Sequence, residues 1–354
     1  MSKKKLSAAL RSLSESAFDF LERSVEEIKD HPKYSVIHFA TAVELILKAR
    51  LMREHWTLVV ERTSDVSVED FLSGKAKTVT QGDAIKRLKN ACGENISQDA
   101  AAQFGQIAAH RNRMIHFFHE AGKKQADDNL TEEIVKELCL CWFYLERLLS
   151  EWDDQFDDFE EEIATVTWRM KQLRAYLQVA FDRLKPEIAK AKKAGAVFRT
   201  CSGCGFEAAA VTDVSEVFFE QRCKVCGLGE SYIEMLCPGE CGETLHIDGH
   251  NVFGMACEEC GYEVTREDLA EALDKEFSDP SDFEPQINCA QCSSLGSVVQ
   301  HGETFVCTEC LYSEDSAPQC EWCNERQIGG GDLEYSYHTG CEFCDGHAGW
   351  TKDD

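Results

Sequence analysis

The stretch Arg111-Asn112-Arg113-Met114-Ile115-His116-Phe117-Phe118-His119-Glu120 places two arginines, an asparagine and two histidines among apolar residues. Histidine titrates near neutral pH and can exchange a proton. Arginine can hold an oxyanion through charge-assisted hydrogen bonds. On a helix, Asn112 and His116 stand one turn apart, and His119 follows His116 by three residues. Arg111 can swing its long side chain to the same edge, while Arg113 points elsewhere. Met114, Ile115 and Phe118 are expected to pack into a bundle. His110 is expected to face elsewhere and His119 to be incidental.

A second chemistry resides in the cysteines. Sixteen of the nineteen lie beyond residue 200, in eight close pairs: seven CxxC turns and one CxxxC, Cys237 and Cys241. Such a turn aims two thiolates at one metal, and a tetrahedral site needs two turns. The intervals between successive turns are 18, 15, 14 and 17 residues, each suited to a β-hairpin. Sequential pairing makes four sites: Cys201/Cys204/Cys223/Cys226, Cys237/Cys241/Cys257/Cys260, Cys289/Cys292/Cys307/Cys310 and Cys320/Cys323/Cys341/Cys344. Glycine follows the second cysteine in the first four turns, which suits a knuckle with positive φ. Ser293, Leu311, Asn324 and Asp345 stand there in the last four.

Four structural Zn²⁺ ions are the expected occupants, and four thiolates leave no open catalytic position. Iron in a rubredoxin-like site and a cross-braced pairing are the alternatives. A disulfide scaffold fits poorly with regular CxxC pairing and with the absence of a signal-peptide pattern at the start. His246, His250, His301, His338 and His347 are not needed as ligands. Cys92, Cys139 and Cys141 read as small buried apolar residues.

The elements that position these groups differ between the halves. Leu6, Leu10, Leu13, Ala17, Leu21, Val25 and Ile28 recur at helical spacing over residues 6–29. Helices are expected over about 33–55, 82–91 and 97–120, with Gly122 as the stop of the last. Residues 57–81 read as a loop with a short strand at Leu58 to Val60. Asn129 with Glu132 resembles a capping box before a helix through Leu149. "EWDDQFDDFEEE" has eight acids in twelve residues, and a long helix follows over about 161–193, with Pro186 as a kink or a new start. Nine Lys and Arg against two acids over 163–200 read as a solvated helix, or as a contact for RNA or the acidic half.

"RNRMIH", together with "HFATAVELILKARL" carrying Glu44 and Lys48 one turn apart, resembles the HEPN domain and its R-x4-H motif. The resemblance covers about residues 6–150. It implies an all-α bundle that homodimerises and joins two motifs in one cleft. It further implies a metal-independent endoribonuclease, in the setting of bacterial antiviral defence or toxin systems. By position, Arg111, Asn112 and His116 would form the catalytic site, with Glu44 in support. RNA carries its own nucleophile, the 2′-OH. His116 would serve as general base or acid, Arg111 as phosphate clamp and Asn112 as an orienting group. Arg111 and His116 also fit a purely structural polar cluster at a dimer seam, and Glu44 a surface partner of Lys48.

Charge divides the chain at the same place as cysteine. Residues 1–200 carry 31 Lys and Arg against 32 Asp and Glu; residues 201–354 carry 6 against 32. A half so acidic repels nucleic acid and suits a basic protein partner, or the RNA groove of its own chain as an autoinhibitor. No apolar run approaches a membrane span, and a cytoplasmic location is expected. The expected architecture is a HEPN-like helical domain (1–150), an acidic segment and basic linker helix (151–200), ribbons one and two (201–264), an acidic linker (265–286) and ribbons three and four (287–354). The fold class is thus multidomain, an all-α bundle followed by four small β-rich zinc ribbons, each built on four cysteines. A non-catalytic HEPN dimer scaffold with interaction ribbons is the alternative function.

Overall fold

The computed structural model describes residues 2–62, 66–116, 127–249, 252, 254–273 and 287–350. The chain divides into Met1–Lys185 and Pro186–Asp354. In the first unit, helix α1 (Ser2–Glu27) packs on α2 (Pro32–Glu54) and buries Ala17, Phe18, Leu21 and Val25. Helix α2 opens on a proline, which needs no N–H partner in a first turn. It is apolar nearly all round, with Val36, Phe39, Val43, Ile46, Leu47 and Leu51 buried, and such a helix belongs at the centre of a bundle. A short α3 (Val68–Leu72) begins at a Ser67/Asp70 capping box. Helices α4 (Gln81–Ala91), α5 (Gln98–His116) and α6 (Asp127–Glu151) then pack around α2. Buried Arg50 donates to Glu54 at 2.8 Å and to Glu94 at 2.5 Å, and Glu94 also accepts from Trp152 Nε1 at 2.6 Å. This ties α2 to the segments following α4 and α6.

Several expected elements take a different form. At Leu58 to Val60 the chain makes a 3-10 turn, Trp56–Val59, and a single β-bridge between Val60 and Thr78. The His55 ring accepts from Thr57 N and winds the backbone too tightly for a strand. Helix α6 begins at Asp127, so Asn129 lies inside its first turn and not before it. Acidic Asp127 and Asp128 precede it, a composition favoured in a first turn. The proposed stop at Gly122 lies outside the described residues.

The acidic stretch folds into two 3-10 turns, Asp153–Gln155 and Asp157–Phe159, pinned by buried Trp152, Phe156 and Phe159. Phe159 stacks on Phe18 with ring centroids 4.7 Å apart. The following helix is two helices, α7 (Glu160–Lys171) and α8 (Arg174–Lys193). They part at Gln172 and Leu173, whose N–H groups reach back only three residues, to Arg169 and Met170. Pro186 lies within α8 without ending it. Helix α7 buries Val166 and Met170 and packs on α1, so residues 151–185 belong to the helical unit.

In the second unit, β1 (Phe198–Thr200), β2 (Glu207–Asp213), β3 (Phe218–Cys223), β4 (Gly229–Leu236) and β5 (Thr244–Asp248) form an antiparallel meander in sequence order. Helix α9 (Arg266–Leu273) follows. Strands β6 (Ile287–Cys289), β7 (Ser294–His301), β8 (Thr304–Cys307), β9 (Ser313–Glu314) and β10 (Arg326–Ile328) make a second sheet in the order β10-β6-β7-β8-β9, with β10 parallel to β6. Two short helices, α10 (Ser336–Thr339) and α11 (Gly346–Trp350), come last. Phe218, Ile233, Ile247, Leu269, Val306 and Leu311 share one apolar cluster, which joins the first three cysteine groups through their strands.

Among the described residues, the expected antiparallel hairpin is enclosed by the first and third cysteine intervals, β2–β3 and β7–β8. The second interval holds β5, and an isolated bridge joins Ala256, at its end, to Glu263 beyond the following turn. The fourth holds β10 and α10; after Gly329, Gly330 and Gly331 its polar sequence supplies no second strand.

Candidate functional site

The cysteines gather in four groups, each with its four Sγ atoms within 4.8 Å of one another, and membership follows the sequential pairing. Closest cross-turn separations are 3.5 Å for Cys201–Cys226, 3.6 Å for Cys204–Cys223, Cys237–Cys260 and Cys241–Cys257, 3.7 Å for Cys289–Cys310, Cys292–Cys307 and Cys320–Cys344, and 3.8 Å for Cys323–Cys341. A tetrahedron of thiolates about 2.3 Å from a central ion has edges of about 3.8 Å. These separations are far too long for disulfides, which need about 2.05 Å. Each group could therefore hold one metal ion.

The knuckles explain the geometry. Gly205, Gly227, Gly242 and Gly261 follow the second cysteine of the first four turns with φ between 73° and 88°. Ser293, Leu311 and Asn324 adopt the same left-handed conformation without being glycine, with φ of 61°, 56° and 62°. In the last turn the positive φ moves one residue on, to Gly346. Backbone amides then face the sulfurs: Val225 N to Cys223, Glu309 N to Cys307 and Phe343 N to Cys341, each at 3.4 Å. The described histidines of this half stay outside the groups: His301 Nδ1 meets the Leu273 carbonyl, and His246 lies beside Arg199 and Tyr232. Cys139 and Cys141 are buried in the bundle, where burial pushes the Cys139 thiol up to about 12; Cys92 is half-buried.

In the helical unit, Glu44 lies at the centre of a charged chain. Its Oε2 accepts from Arg111 Nη1 at 2.9 Å and its Oε1 from Lys48 Nζ at 2.6 Å. Lys48 also donates to Thr78 Oγ1 at 3.0 Å, and Arg111 Nε donates to Asn112 Oδ1 at 3.3 Å. Burial alone would raise the Glu44 pKa. The hydrogen bonds and positive charges of Lys48 and Arg111 outweigh it and hold the carboxyl below its ordinary value. Glu44 is thus ionised at neutral pH and orients the Arg111 guanidinium. Five N–H donors belong to that group, and the two contacts with Glu44 and Asn112 leave others to receive an anionic oxygen.

The structure brings Glu44, Lys48, Arg111 and Asn112 together. His116 is the last described residue of α5 and is described by its backbone alone; Phe118 and His119 lie outside the described residues. Met114 is buried, continuing the face of Phe104 and Ile107, but Ile115 is 53% exposed and does not pack into the bundle. It follows Met114 by one residue, about 100° round the helix and off the core face. His110 faces α6, with Nδ1 2.7 Å from Glu137 Oε2. Thr78 had no local signal, because a bridge distant in sequence brings it in. The Glu44–Lys48 spacing was legible.

Compared with protein-family models, curated proteins and solved structures, the chain shows no match.

Proposed function

We propose that the chain is an endoribonuclease of the HEPN type that acts as a homodimer, with four structural Zn²⁺ ions folding an acidic partner-binding half. The observation that best supports the nuclease reading is the Arg111–Glu44 contact of 2.9 Å. It orients a guanidinium on the same helix as His116, five residues before it. His116 of one protomer takes the proton of a 2′-OH, and the 2′-oxygen attacks the adjacent phosphorus. Arg111 stabilises the charge that develops on the phosphoryl oxygens. The bond to the 5′-oxygen breaks, and the second protomer's His116 supplies a proton to that oxygen. The products are a 2′,3′-cyclic phosphate and a 5′-hydroxyl. Asn112 orients the clamp, and no metal takes part in the chemistry.

Zinc is the metal that fits four closed thiolate sets with a structural role. Each ion contributes roughly 10–16 kcal/mol of binding coupled to folding, which modules with this little core require. Reduced thiols and bacterial defence both accord with a cytoplasmic setting. Among the described residues no helix is long and apolar enough to cross a membrane.

Cleavage of end-labelled RNA in EDTA tests the reading, comparing wild type with Arg111→Ala and His116→Ala. Residues 1–200 are run alongside because EDTA strips the ribbons. Activity that survives EDTA and disappears in both folded variants is expected. Equal background in all three would leave a scaffold role instead. If the acidic half restrains the nuclease, residues 1–200 cleave faster than the full chain.

A further inference from the structure

The fourth cysteine group carries a feature that metal binding does not require. Trp322, Tyr337, His338 and His347 pack as one aromatic cluster, with His338 edge-on to Tyr337 at 5.1 Å and 89°. Tyr337 and His347 lie nearly parallel, at 15° with centroids 5.8 Å apart. Trp322 stands across both, 5.4 Å from Tyr337 at 78° and 5.5 Å from His347 at 86°. Such edge-to-face and offset contacts are the favoured aromatic geometries and hold the rings in place. The cluster is not enclosed, for Tyr337 is 44% exposed and neighbouring Tyr335 is 68% exposed. A ring used only as core filling would lose that surface to packing.

Charge around the rings decides what can meet them. Glu321, Asp332, Glu334, Glu342 and Asp345 are all exposed and interleave with the aromatic residues. Arg326 is the lone Lys or Arg from 320 to 350, and it is occupied over the Phe305 ring at 5.1 Å. Exposed rings can stack nucleobases, but such surfaces need a positively charged track for the phosphates. Here both the ring faces and the carboxylates attract cations. A guanidinium suits this surface best, since it stacks flat on an aromatic face while its edge donates to carboxylates.

We propose that the exposed part of the Tyr337 ring, backed by Trp322 and His347 and flanked by acids, docks an arginine side chain from a basic segment of a protein partner. This deepens the reading of the acidic half as the partner-binding half and does not depend on RNA cleavage.

The test uses the full-length zinc-loaded chain and a fluorescein-labelled peptide, Gly-Arg-Gly-Arg-Gly, read by anisotropy. A norleucine counterpart and a ten-nucleotide oligothymidine are the comparison probes. Wild type is expected to prefer the arginine peptide to both. Tyr337→Ala should weaken that binding by about five-fold, the size of a partly exposed cation–π contact. Tyr337→Phe keeps the ring face and should hold affinity within about two-fold. Glu334→Gln, distant in sequence from any cysteine, should weaken binding by about two-fold and lessen its salt sensitivity. Zinc content, measured by chelator release, reports whether each variant is folded. If Tyr337→Ala sheds zinc, Glu334→Gln and the probe preference decide. No arginine preference, equal affinity of the folded Tyr337 variants, or tighter oligothymidine binding would overturn the proposal. Since no arm reads cleavage, an inactive nuclease leaves the outcome unaffected.

Discussion

At the residue scale, Glu44 is the group on which the Arg111 cluster turns. Its folded pKa lies below the ordinary 4.5, held there by Lys48 and Arg111 against the upward pull of burial. A lowered carboxylate pKa contributes stability that is fully present above the unfolded value and lost as pH falls through the folded one. Acid unfolding of wild type should therefore steepen below about pH 4.5, and Glu44→Gln should remove that part of the slope; circular dichroism against pH reads it. The same variant frees Arg111 to wander, and cleavage should slow by about ten- to a hundred-fold with the fold retained.

The non-glycine knuckles make a second residue-scale case. A left-handed residue other than glycine costs about 1–2 kcal/mol, and a glycine returns some of that through unfolded-chain entropy, about 0.4–1 kcal/mol. Exposed Ser293 should therefore gain roughly 0.5 kcal/mol as Ser293→Gly. Leu311 is buried in the shared apolar cluster, a contribution of about 1.5–3 kcal/mol that outweighs its backbone cost. Leu311→Gly should destabilise, and denaturant midpoints separate the two outcomes.

At the scale of elements, what was legible followed from periodicity and spacing. The apolar faces of α1 and α2 and all four cysteine groups could be read directly, because helix period and CxxC spacing are local properties. The stretch over 151–162 reads from its charges as an acidic segment outside the helical domain. Its actual role follows from Trp152, Phe156 and Phe159, whose three- and four-residue spacing is an apolar stripe hidden among carboxylates. The form of the fourth cysteine interval was not legible, since strand β10 finds its partner β6 outside its own ribbon. Around Arg111, the Glu44 contact spans 67 residues of sequence, and helix spacing is a local property that does not reach across it. Phe159→Ala removes the stack on Phe18 and should cost the helical unit about 3 kcal/mol. Urea unfolding of that unit checks it, and a loss under about 0.5 kcal/mol would mean that the segment does not share the core of the helical unit.

At the scale of the molecule, two kinds of stability coexist in one chain. The helical unit rests on an apolar core around α2, whereas the acidic unit combines two small apolar clusters with four thiolate sets. With the four thiolate sets loaded with zinc as proposed, chelation should collapse the β signal and release four equivalents of metal per chain, while the helical signal persists. Retention of β-structure at full metal release would show that the two apolar clusters suffice alone. The proposed function divides along the same line, with RNA cleavage assigned to the helical unit and partner contact to the acidic one. The decisive measurement is sequencing of RNA ends after induced expression of wild type and of His116→Ala. New fragments bearing 2′,3′-cyclic phosphate and 5′-hydroxyl ends in wild type alone are the expected result. Identical end profiles in the two, at matched protein levels, would contradict RNA cleavage by the Arg111–His116 helix.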